Sequence, residues 1–108
     1  MLLKAAMPFR WISRVPMIWS DPATRAAAET DALCSTVDLS ATILERAGLA
    51  PFNGNQGKSF LSAMEAGPGG RDELLIEFND GGTRLGFESP ARVRTLVTDQ
   101  WRYTVYRD

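Results

Sequence analysis

The sequence predicts an α+β fold in which helix and sheet are laid out one after the other along the chain. Three observations predict it. A helical apolar stripe with start and stop signals occupies residues 36–47. Two segments alternating at period two lie near the C-terminus with a two-residue connection between them. The order is strand, helix, short helix and then three strands, which argues for a mainly antiparallel sheet with one long and one short packed helix. With 108 residues, the chain has the size of one small domain.

Taken in order, Val15-Pro16-Met17-Ile18-Trp19 reads as a short buried strand, proline being tolerated near a strand start. Ser20-Asp21-Pro22 ends it as a turn. The alanine-rich stretch 24–30 reads as a short helix or a surface excursion. The helix over 36–47 follows. Ser35 and Asp38 have capping-box spacing, and a carboxylate is favoured at a helix start. Val37, Ala41 and Leu44 lie on one stripe, which Leu39 and Ile43 widen. Gly48 stands where a left-handed C′ residue is wanted, Leu49 can fold back on Leu44, and Pro51 prevents continuation.

Asn53-Gly54 marks a turn, and Ser59 is placed to cap a short helix carrying Phe60, Leu61 and Met64. Gly67-Pro68-Gly69-Gly70 reads as an exposed loop. Leu74–Phe78 reads as a strand and Asp80-Gly81-Gly82 as a turn. Residues 92–98 and 101–106 form a predicted hairpin. Val93, Thr95 and Val97 share one face, and Trp101, Tyr103 and Val105 share another. The first and last strands leave edges that invite pairing with another chain, so either a homodimer through exposed strand edges or a rearranged packing is expected.

Composition excludes several functions. Net charge is −1, so no basic excess draws nucleic acid. No apolar run is long enough to span a bilayer. The short, interrupted N-terminal apolar run is not a signal peptide, and cytoplasmic localisation is the default expectation. The single cysteine forms no internal disulfide, and the absence of histidine removes Ser-His-Asp and Cys-His catalysis.

Each candidate reactive residue has a plainer reading beside it. Lys4 could neutralise an anionic ester, although composition alone favours a solvated lysine. Cys34 precedes a helix, where a thiol pKa can fall; a small junction residue is the simpler view. Asp31 and Asp38 could pair, but capping already explains Asp38. Arg92, Arg94 and Arg102 could form an anion-binding face, against a solvated face balanced by Glu73, Glu77 and Asp99. Trp11, Trp19 and Trp101 are most simply core residues. Asn53-Gly54-Asn55-Gln56-Gly57 lacks the spacing of a phosphate loop.

Read together, the segments resemble the C-terminal part of the sulfatase family, within the alkaline phosphatase superfamily. Arg14–Trp19 is similar to the family's RVPxI strand. Ser35–Leu44 with Ala47-Gly48-Leu49 resembles its VDLxPTLLxLAGL helix, and Gln56–Leu61 its QGxSLLP turn. Arg71-Asp72, Arg92-Val93-Arg94-Thr95 and Trp101-Arg102-Tyr103 resemble the RxVRT…WKY strands of its small subdomain.

The resemblance implies a fragment of a larger alkaline phosphatase-like α/β fold. It implies hydrolysis of sulfate esters by a formylglycine nucleophile, with calcium held by Asp and Asn ligands. The superfamily's phosphodiester and phosphonate monoester hydrolases are an alternative, and a non-catalytic self-associating module is another. The nucleophile motif C/S-x-P-x-R is absent, since Thr36 and Asp38 stand where Cys34 would need Pro and Arg. The acids that hold the metal are absent too. Lys4 alone falls at an active-site position, resembling the lysine that contacts the sulfate. The resemblance therefore implies a chain that is inactive alone.

Overall fold

The computed structural model describes residues 9–23, 29–65, 69–79 and 90–107. Lys4, the stretch 24–28, Gly67-Pro68 and the turn Asp80-Gly81-Gly82 lie outside them. The elements are α1 (Arg10–Ser13), α2 (Asp38–Arg46), α3 (Leu61–Met64), β1 (Glu73–Asn79), β2 (Arg92–Thr98) and β3 (Arg102–Arg107). This is a small α+β arrangement, with an antiparallel sheet in the order β1-β2-β3. The chain divides into two compact units: Met1–Arg25 with Leu75–Asp108, and Ala26–Leu74.

The first unit is built around the hairpin. β2 and β3 pair antiparallel, with Val93 opposite Tyr106, Thr95 opposite Thr104 and Val97 opposite Arg102. The connection is Asp99-Gln100. Thr98 N–H donates to Trp101 O at 2.8 Å, and the Thr98 hydroxyl accepts from the N–H of Gln100 and of Trp101. That hydroxyl closes the turn without a glycine.

Val93 and Thr95 are fully enclosed, and Thr95 exchanges a 2.9 Å hydroxyl bond with Thr104. On the opposite face lie Leu96, Tyr103 and Val105, all exposed. The two sets therefore stand on different faces, as the alternation predicts, and only the first is buried. Arg94 reaches Glu77 and Asn79, fixing β1 beside β2. Both partners of the ion pair are largely solvated, so it adds little stability.

Two expectations fail in this unit. Residues 15–19 form no strand, and Val15 and Ile18 are exposed, Ile18 to 91%. The residue before a proline is driven to extended backbone, which gives a strand-like segment. Pro16 lacks a donor, and among the described residues no neighbouring strand completes a ladder. A single helical turn, α1, precedes it instead. There Ser13 caps back to Phe9 O, and its hydroxyl accepts from Arg102 of β3.

Trp11 and Trp101 are also not core residues, being 77% and 76% exposed. One stands on that lone turn, stacked on Phe9 with centroids 5.1 Å apart, and the other follows the hairpin turn. Trp19 is half-buried. The Ser20-Asp21-Pro22 turn is present, Ala23 N–H donating to the Asp21 carboxylate.

The second unit holds α2 and α3. At the end of α2, Leu49 N–H donates to Leu44 O and Gly48 N–H to Glu45 O, with Gly48 at φ 69°. That is the Schellman arrangement expected from the sequence. Asn55 N–H closes the Asn53-Gly54 turn on Phe52 O. Ser59 Oγ accepts from Leu61 N–H at the start of α3, and Phe60 and Ala63 are buried. Gly70, read from sequence as exposed loop, is buried.

Candidate functional site

The best-built polar cluster of the described residues surrounds Asp38 in the second unit. Asp38 opens α2 and is 1% exposed. Its Oδ2 accepts from Ser35 N–H at 2.8 Å, which is the acidic half of the predicted capping box. Its Oδ1 accepts from Lys58 N–H at 2.8 Å, from 20 residues further along the chain. Arg71, 33 residues along, donates from Nε to both oxygens at 3.0 Å and from Nη2 to Oδ1.

The surrounding groups are satisfied in turn. Arg71 Nη2 donates to Gln56 O, and Arg71 N–H donates to Leu33 O. The enclosed Thr42 donates to Asp38 O at 2.7 Å and accepts from Phe60 N–H. Gly57 packs so closely beneath α2 that a Cβ there would collide with Val37 O. One carboxylate thus ties the start of α2, the Gln56–Lys58 turn and Arg71 together.

The electrostatics describe a structural ion, not a reactive one. Burial is the largest influence on the Asp38 carboxyl and pushes its pKa up. The hydrogen bonds from Arg71, Lys58 and Ser35, with the Arg71 charge, outweigh it and hold the carboxyl below the usual Asp value. Arg71 is raised, first by its hydrogen bond to Asp38. A carboxylate whose oxygens are so occupied has no role left as a general base or metal ligand.

The remaining sequence candidates are not brought together. Cys34 is half-buried, and burial and then the Asp38 charge push its thiol up, the reverse of activation. We expect Cys34 in the folded chain to react with a disulfide reagent at neutral pH more slowly than it does in urea. Equal rates in the two conditions would contradict this. Asp31 is exposed, whereas Asp38 is enclosed at the start of α2.

Arg92 and Arg94 share one sheet face, whereas Arg102 sits opposite Val97 on the other, so the three cannot form one anion-binding surface. Among the described residues no group of three His, Cys, Asp or Glu side chains could hold a metal ion. No helix of the described residues is long and apolar enough to cross a membrane.

Sequence reasoning found the Asp38 cap from its local spacing. It missed the long-range partners, because nothing in the spacing of Lys58 or Arg71 points back to residue 38. Comparison with protein-family models, with curated proteins and with solved structures finds no match to this chain.

Proposed function

We propose that this chain is the C-terminal portion of a sulfatase-type sulfuric ester hydrolase. One observation supports the reading above others. The helix written Val37-Asp38-Leu39, the Gln56-Gly57-Lys58 turn and Arg71 carry much of the sequence resemblance, and all meet at the Asp38 carboxylate. Segments that look like separate motifs of one family thereby have a shared physical task, which is to lock a helix, a turn and the approach to a strand.

On this reading the chain supplies scaffold and the sulfate ester is attacked by groups that its described residues do not contain. Lys4 is the residue proposed to contact the sulfate, by resemblance. Calcium and the formylglycine nucleophile belong to the complete enzyme.

The purified chain, supplied with calcium and an aryl sulfate, is expected to show no turnover above the uncatalysed rate. Metal-dependent turnover would overturn the inactivity. Parentage is tested in the coding DNA upstream of Met1, where an in-frame C/S-x-P-x-R is expected. Its absence removes the proposal.

A further inference from the structure

We propose that β3 pairs edge to edge and antiparallel with β3 of a second copy of this chain, with the two-fold axis at Thr104. The inference is independent of the proposed parentage.

β3 ends the strand order, and β2 is its strand neighbour among the described residues. Tyr103, Val105 and Tyr106 are 69%, 46% and 48% exposed. Natural edge strands are usually guarded by proline, a bulge or a charge in mid-strand. β3 has no such guard between Tyr103 and Tyr106, its charges standing only at Arg102 and Arg107. The opposite edge strand, β1, carries Glu77 in its length, paired with Arg94.

The side chains of β3 favour a second copy as occupant. A two-fold contact uses the same patch twice. Continuing the buried face of one sheet into that of the other requires some residue to oppose itself, because a one-residue slip exchanges the faces. Only Thr104 as that residue pairs the whole run 101–107 with itself. Tyr103 then faces the partner's Val105, Arg102 faces the partner's Tyr106, and Trp101 faces the partner's Arg107.

These are aromatic–branched and cation–aromatic pairs, and no like charges oppose. Within the chain Arg107 lies opposite Arg92, an unfavourable neighbour. The contact gives Arg107 the 76% exposed ring of Trp101 instead. Leu96, Tyr103 and Val105 would join the same residues of the partner in one apolar stripe.

The test is light scattering of the full chain across a concentration series. The expected mass is twice the 11.9 kDa of one chain. Tyr103→Lys, which sets a mid-strand charge opposite the partner's Val105, should give the mass of one chain with an unchanged far-ultraviolet spectrum. Leu75→Lys, on β1 and also exposed, should leave the doubled mass. Should Tyr103→Lys unfold, Thr104→Cys in a Cys34→Ser background decides the matter. Self-opposed residues on antiparallel strands lie within disulfide reach, so oxidation should link the copies. A single-chain mass for the unaltered protein, a doubled mass for folded Tyr103→Lys, or no cross-link at residue 104 would each overturn the proposal. Dissociation by Leu75→Lys would also do so, since it would assign the contact to the sheet face.

Discussion

Asp38→Ala should destabilise the Ala26–Leu74 unit by about 3–5 kcal/mol, the range for removing one partner of a buried ion pair. The substitution strips the acceptor from Ser35 N–H, Lys58 N–H and Arg71 together. It also leaves a guanidinium that is only 24% exposed without its counter-charge. A loss of this size is a large share of the stability of a small domain. Urea titration followed by helical ellipticity is the measurement, since α2 and α3 lie in this unit and none of the three tryptophans does. An unchanged midpoint would remove Asp38 from its central place.

The same carboxylate sets a pH dependence. Its folded pKa lies below its unfolded one, so between the two the unfolded chain binds more protons than the folded one. Stability is then fully present above the ordinary Asp value of about 3.9 and is lost as pH falls through the folded pKa. Asp38→Asn should flatten that acid limb. An identical acid limb in the two proteins would place the sensitivity elsewhere.

Phe60→Ala is the second large effect, expected at about 3–5 kcal/mol, as for buried aromatic truncations. Phe60 is 4% exposed at the entry to α3, and its N–H donates to the enclosed Thr42 hydroxyl. Phe60→Leu should recover part of the loss by refilling the space. The check is again the helical urea midpoint. Equal stability of Phe60→Ala and the parent would mean the ring fills no core.

What was legible in the sequence follows from where each determinant sits. The end of α2 was readable because Gly48, Leu49 and Pro51 act within one turn of the last helical residue. The hairpin was readable because period-two alternation and a two-residue connection are local. Residues 15–19 misled because apolar content does not reveal whether a neighbouring strand exists, and Pro16 had already removed a donor. Exposure of Tyr103 and Val105 was equally hidden, since alternation separates two faces without saying which is covered. At Asp38 the Ser35 contact was local and readable, whereas Lys58 and Arg71 arrive only through the folding of the intervening chain. Lys4 stays a matter of resemblance, and so does the ester chemistry attached to it.

The span between Asp38 and Arg71 also bears on the order in which the molecule assembles. The β2–β3 hairpin joins residues close in sequence, and such ribbons form in about 1–10 μs. The bonds at Asp38 reward the chain only after 33 residues have been drawn into a ring, an entropic toll met before any return. Loop closure thus argues that α2 forms ahead of its Arg71 anchor, in which case Asp38→Ala should speed unfolding more than it slows folding.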